Sequence, residues 1–268
     1  MTGLTGLAGE GTAQQRFAAT TQPSDLPIEW LPAAGAPEQL IVLLHGWRSE
    51  GAAMAPLAQA LRNAFPQAAV LAPDSPLRFV RAEGEREAAG DPGREAGRDE
   101  GRDLGRMWYS IEGLTPATWP ERVAACLPSM TAWLRAQQQR LGVGPAATAL
   151  GGFSQGAIVS LAAVLREDGL AGRVLAFGGC ITAPPAAAPQ HTTVHLFHGG
   201  ADTVIPADGS RQALQWLGEL QGDATLDIAE GVGHELHAAL IDCALHRLTH
   251  HIPLRTWRAA LGGGAATT

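Results

Sequence analysis

Gly152-Phe153-Ser154-Gln155-Gly156 is a G-x-S-x-G element set between two apolar runs, Thr148-Ala149-Leu150-Gly151 before it and Ala157-Ile158-Val159-Ser160-Leu161-Ala162-Ala163-Val164-Leu165 after it. The first run has the character of a buried strand and the second that of an apolar helix, so the serine falls at a sharp strand-to-helix turn. Only residues without a Cβ can flank such a turn closely. Ser154 Oγ is then expected to project from the top of a sheet, with the first N–H groups of the helix aimed at the reacting centre. That combination points to a nucleophilic serine on an α/β scaffold.

Two later segments supply partners in a definite order. Thr192-Thr193-Val194-His195-Leu196-Phe197-His198 is β-branched and apolar, stops at Gly199-Gly200, and is followed in the next loop by Asp202. Thr225-Leu226-Asp227-Ile228-Ala229 alternates as a strand, and the loop after it, Gly231-Val232-Gly233-His234, carries a histidine. Serine, acid, histidine is the chain order of the α/β-hydrolases, distinct from the chymotrypsin and subtilisin orders. The chemistry needs all three types. A serine hydroxyl is a poor nucleophile at neutral pH, so His234 is expected to take its proton and Asp202 to fix the imidazole tautomer.

The run Leu40-Ile41-Val42-Leu43-Leu44 is continuously apolar, as a central parallel strand buried on both faces should be, and it ends in His45-Gly46-Trp47. In this fold the loop after such a strand supplies one oxyanion-hole N–H and the residue after the nucleophile the other. The donors are assigned to Trp47 and Gln155.

Taken together, Leu44-His45-Gly46, Gly152 to Gly156, His198-Gly199-Gly200-Ala201-Asp202-Thr203-Val204-Ile205 and Gly233-His234 resemble the phospholipase/carboxylesterase family, which includes the acyl-protein thioesterases. Met107-Trp108-Tyr109-Ser110-Ile111 resembles its Trp-aromatic strand segment, and Gly178-Gly179-Cys180 its small-residue turn. The similarity spans roughly residues 28 to 258 and is greatest to the small bacterial esterases of the family. It implies a single-domain serine hydrolase of carboxylic esters, sometimes thioesters, working without a cofactor. Many members carry a second glycine after the elbow, where this chain has Ala157.

Other residues compete for these roles. His237, three residues after His234, is the rival base. Asp208 is an alternative acid but reads as a surface helical position, and Asp227 alternates with Leu226 and Ile228 onto another strand face. His45 reads as a loop-shaping residue and His198 as a hydrogen-bonded core or rim histidine. His191, His195, His246, His250 and His251 show no metal-ligand spacing with cysteines or carboxylates.

Composition narrows the classes further. All 19 basic residues are arginine, which removes Ser-Lys dyads, Schiff-base chemistry and a phosphate-loop lysine. A net charge of −7 argues against an extended nucleic-acid surface. No apolar run approaches the ~20 residues of a membrane span. Cys126, Cys180 and Cys243 are widely spaced and odd in number, which reads as reduced thiols in a cytoplasmic protein. The partner expected is a small ester or acyl-thioester, and nothing in the sequence sets an oligomeric state.

Strands alternating with helices predict a mainly parallel sheet covered on both faces. Strands are expected near Ile28 to Leu31, Leu40 to His45, Ala68 to Ala72, Trp108 to Ile111, Thr148 to Phe153, Arg173 to Phe177, Thr192 to His198 and Leu226 to Ala229. Helices are expected over Ala52 to Ala64, Trp119 to Arg140, Gln155 to Arg166, Ala207 to Leu220 and Glu235 to Thr249. The hydrolase domain is set at residues 26–258, between mobile ends at 1–25 and 259–268. Within it, Arg81 to Arg106 holds six arginines and eight acids, with Gly-Arg recurring at Gly93, Gly97, Gly101 and Gly105. Glycine every fourth residue weakens a helix by ~1 kcal/mol each, so this stretch reads as a solvated insertion, with a lid over the site as the alternative.

Overall fold

The computed structural model describes residues 26–80 and 103–261. Of the mobile ends expected at 1–25 and 259–268 and the stretch 81–106 read as a solvated insertion or lid, residues 1–25, 81–102 and 262–268 lie outside the described residues. In chain order the strands are β1 (Ile28–Trp30), β2 (Gln39–Leu44), β3 (Ala68–Ala72), β4 (Leu77–Val80), β5 (Asp103–Met107), β6 (Thr148–Phe153), β7 (Arg173–Phe177), β8 (Thr193–Gly199) and β9 (Ala224–Ala229). The helices are α1 (Ala55–Ala64), α2 (Trp119–Leu141), α3 (Gln155–Arg166), α4 (Asp208–Glu219), α5 (Ala238–His250) and α6 (Leu254–Ala260).

Among the described residues, seven strands make one sheet in the order β1-β3-β2-β6-β7-β8-β9, while β4 and β5 form a separate antiparallel pair. Only β1 runs antiparallel in the large sheet, against β3. Side chains alternate across a strand, and β2 shows what that does with a continuously apolar sequence. Leu40, Val42 and Leu44 face a core closed by α2, α3 and α4, through residues such as Leu127, Met130, Ile158 and Leu217. Ile41 and Leu43 face a second core closed by Leu57 and Leu61 of α1 and Leu240 and Ile241 of α5. Strand order reverses at β2, whose neighbours are β3 on one side and β6 on the other. A crevice at the carboxyl ends of strands flanking such a reversal is where open α/β sheets bind ligands.

The structure departs from the sequence reading in several places. Trp108 to Ile111 is not a strand; pairing is carried by Asp103–Met107 instead, opposite Leu77–Val80. The reason is local, because the backbone groups of Trp108 and Tyr109 are taken by the side chain of Gln155. Residues 103–106, the end of the stretch read as an insertion, lie in β5. The helix expected from Ala52 opens as a 3-10 turn, Gly51–Met54, before α1 begins at Ala55. The one expected from Glu235 begins only at Ala238. The tail set at 259–268 overlaps α6, which runs to Ala260.

Candidate active site

Every residue assigned to the site lies just past the carboxyl end of a parallel strand: Trp47 after β2, Ser154 after β6, Asp202 after β8 and His234 after β9. Ser154 is the turn residue between β6 and α3, with φ 53° and ψ −115°. A non-glycine residue at positive φ outside the small left-handed basin is strained, at a cost of about 1–3 kcal/mol, and persists only where its surroundings dictate it. Here they do. Ser154 N–H donates to Phe177 O at 2.8 Å, and its own carbonyl accepts from Ile158 N–H in the first turn of α3.

The loops after β6, β8 and β9 bring three side chains into line. His234 Nε2 lies 2.9 Å from Ser154 Oγ, and His234 Nδ1 lies 2.6 Å from Asp202 Oδ2. Asp202 is buried, with a side chain 1% exposed, whereas that of His234 is 15% exposed. The other carboxylate oxygen, Oδ1, accepts the backbone N–H groups of Val204 and Ile205 at 2.8 and 2.9 Å. These bonds fix the carboxylate plane and stabilise its charge in a buried place. The Phe153 ring packs on the His234 imidazole, with centroids 4.8 Å apart.

The competing residues are accounted for by other bonds. His237 is the N-cap of α5, its Nδ1 accepting the Ala239 N–H at 3.2 Å. Asp208 is exposed and pairs with Arg211. Asp227 is held by both Nε and Nη2 of Arg247. His198 is fully buried, bonded to Ser210 Oγ at 2.7 Å and to Ile205 O at 2.7 Å. Its Nε2 also approaches Asp202 Oδ2 at 3.4 Å, a neighbour of the acid that sequence order did not reveal. His45 is a buried strut: Nδ1 donates to Gly46 O at 2.7 Å and Nε2 accepts Ser75 N–H at 3.0 Å. Burial lowers its pKa, which suits a neutral ring with one donor and one acceptor.

Trp47 lies in the turn after β2, and Gln155 is the first residue of α3, where N–H groups have no acceptor within the helix. From the sequence, Gln155 reads only as a backbone donor. Its side chain is buried, with Oε1 accepting Trp108 N–H at 2.7 Å and Nε2 donating to Tyr109 O at 2.8 Å. Among the described residues, no cluster of three or more histidines, cysteines or carboxylates could hold a metal ion.

The family described as Phospholipase/Carboxylesterase matches residues 98–252. Esterase YpfH of Escherichia coli (strain K12) is 37% identical over 85% of this chain and 89% of its own. Acyl-protein thioesterase 1 of Eremothecium gossypii is 27% identical over 87% of this chain and 91% of its own. Among solved structures, esterase PE8 shares the fold with a TM-score of 0.69 at 31% identity, covering 85% of this chain and 100% of that one. SOBER1 of Arabidopsis thaliana, with a TM-score of 0.61 at 18% identity over 79% of this chain and 97% of its own, is alike in fold alone. Matched over more than half its length by the family and over 85% of it by a relative at 37% identity, the chain belongs to the phospholipase/carboxylesterase family of α/β-hydrolases, serine enzymes that hydrolyse carboxylic esters.

Proposed function

We propose that Ser154, His234 and Asp202 carry ester hydrolysis through an acyl-enzyme, with the N–H groups of Trp47 and Gln155 holding the oxyanion. The observation that carries the reading is His234 bridging Ser154 Oγ and Asp202 Oδ2 at 2.9 and 2.6 Å. His234 Nε2 accepts the hydroxyl proton as Ser154 Oγ attacks the carbonyl carbon, and Asp202 stabilises the imidazolium that results. The carbonyl oxygen gains negative charge in the tetrahedral intermediate and is met by the two N–H groups. His234 then gives its proton to the leaving alcohol. Water enters, loses a proton to the same nitrogen, and attacks the acyl carbon to release the acid and regenerate Ser154.

The leaving group need not be an oxygen. A thiol leaves without protonation more readily than an alcohol, so the same site suits acyl-thioesters, and the Eremothecium gossypii relative is named an acyl-protein thioesterase. The substrate is a small molecule and the compartment cytoplasmic; the three free cysteines support the latter. Among the described residues, no helix is long and apolar enough to cross a membrane.

The test is covalent. Incubation with a fluorophosphonate should add one adduct mass, which peptide mapping should place on Ser154. A hydrolytically active protein labelled elsewhere, or not labelled, would overturn the assignment.

A further inference from the structure

The two oxyanion donors sit on segments far apart in sequence, yet one stretch of chain, Gly105 to Tyr109, is bonded to both. On the Trp47 side, Arg106 N–H donates to Ser49 O at 2.9 Å and Arg106 O accepts Ser49 N–H at 3.3 Å, a single antiparallel bridge onto the loop after β2. Gly105 lies so close to that loop that a Cβ on it would come 2.5 Å from Arg48 O. The Arg106 side chain is buried, its Nε meeting Asp74 Oδ2 at 3.1 Å and its Nη1 donating to Ser75 O at 3.2 Å. Asp74 completes the circuit by accepting Gly51 N–H on Oδ1 at 2.8 Å, at the loop's far end. The loop is thus held at Ser49 by the Arg106 backbone and at Gly51 by the Asp74 carboxylate, and the two holds are joined by the Arg106–Asp74 ion pair, whose side chains are each 11% exposed.

On the other side, Trp108 N–H and Tyr109 O clasp the Gln155 carboxamide, and Trp108 Nε1 donates to His45 O at 2.9 Å, two residues before Trp47. Both donors therefore take their position from one splint.

We propose that Arg106, paired with Asp74, is a positioning residue for the oxyanion hole: it sets where the Trp47 N–H stands relative to the Gln155 N–H. This rests on the proposed acyl-enzyme reading. Arginine suits the place because its planar fork serves a carboxylate and a carbonyl at once, which a lysine ammonium on a flexible stem does not reproduce. Arg106 touches no reacting atom. Its effect should appear only where negative charge develops on the carbonyl oxygen, since donors misplaced by a fraction of an ångström lose transition-state binding before they lose substrate binding.

The experiment compares Arg106→Lys and Asp74→Asn with wild type on p-nitrophenyl acetate, with active sites counted by fluorophosphonate. Loss of a whole oxyanion donor typically costs ~10²–10³-fold in kcat, so displacement of one should cost ~10–100-fold. KM should stay within about twofold. Affinity for a trifluoromethyl ketone, whose serine adduct carries the oxyanion, should fall in parallel with kcat. Unchanged kcat per active site would overturn the proposal, as would a fall in folded fraction with normal kcat in the molecules that remain. If Arg106→Lys does not fold, Asp74→Asn decides by the same criteria, because it keeps an acceptor for Gly51 N–H while turning an amide N–H2 toward Arg106 Nε in place of the charged acceptor, which breaks the pair. Ser154→Ala run alongside separates the two readings. Hydrolysis surviving in Ser154→Ala refutes the acyl-enzyme, whereas a dead Ser154→Ala beside unaffected Arg106 and Asp74 variants refutes the splint alone.

Discussion

The Cα of Gly156 faces the carbonyl oxygen of Leu44 so closely that a Cβ built on Gly156 would lie 2.1 Å from it. Leu44 ends β2, the strand that leads into the loop bearing Trp47, and Gly156 is the second residue of α3. The absence of a side chain at one position therefore sets how closely the helix behind Ser154 approaches the strand behind the oxyanion loop. Gly156→Ala should force the two apart. Neither neighbour is a flexible side chain that can yield, so overpacking should cost about 3 kcal/mol or more, at the upper end for such changes. A urea titration measures it. A variant within about 1 kcal/mol of wild type and fully active would show that the elbow has slack that this geometry denies.

Substitutions in the proposed triad should separate by role. Ser154→Ala and His234→Ala should each lower kcat for an activated ester by ~10⁴-fold or more, and Asp202→Asn nearly as much, with folding intact. His237→Ala removes only the acceptor at the start of α5, whose loss costs about 1 kcal/mol of stability, and should leave kcat near wild type. A severe kinetic defect in His237→Ala beside a mild one in His234→Ala would reassign the base.

What the sequence made legible follows from what chemistry confines to a motif. The proposed triad residues Ser154, Asp202 and His234 each follow a glycine within two residues, in the turn or loop after a strand, where a sharp turn exposes the side chain and glycine marks the turn. The strands of the large sheet were legible for a related reason, since burial on both faces demands unbroken apolar runs such as Leu40 to Leu44. Arg106 was not legible. It stands in a stretch of Gly-Arg repeats that reads as solvated, whereas its buried charge is met by Asp74 and the Ser75 carbonyl, more than 30 residues earlier in the chain. Trp108 to Ile111 has strand-like residue types, but the Gln155 carboxamide competes for its backbone groups and wins. Helix α6 buries none of its residues, so it carries no amphipathic signal to read.

Acid sensitivity should have an identifiable contributor far from the site. His195 on β8 is fully buried; Nδ1 bonds Thr225 Oγ1 at 2.8 Å, and among the described residues Nε2 has no hydrogen-bond partner. Burial, reinforced by the positive charge of Arg173, pushes its pKa down from 6.5 to about 3. Between those values the unfolded chain binds a proton that the folded chain does not. The contribution is therefore absent as a penalty above pH 6.5 and grows as pH falls, by up to ~1.4 kcal/mol per pH unit, or ~2 kcal/mol by pH 5. His195→Gln should flatten the stability difference between pH 7 and pH 5 by about that amount. An unchanged difference, measured by urea unfolding at both pH values, would remove His195 as its source.

The Gln155 carboxamide offers the sharpest functional prediction, because its two ends are told apart by their partners. Oε1 accepts from Trp108 N–H and Nε2 donates to Tyr109 O, so the position requires one acceptor and one donor. Gln155→Glu satisfies both only when protonated, with the carboxyl O–H donating to Tyr109 O. An ionised carboxylate there would face a carbonyl oxygen at hydrogen-bond distance, in a buried place and near the charge developing on the substrate. Burial and the carbonyl both favour the neutral acid, so the variant should fold with its carboxyl protonated and a pKa raised above the ordinary glutamate value. Its activity should then decline as pH rises through that pKa, giving kcat/KM a descending limb that wild type lacks in the same range. Gln155→Met, which has no charge to develop, should lose activity without gaining the limb. A Gln155→Glu profile parallel to wild type at every pH would mean that the carboxamide does not face Tyr109 O in the working enzyme.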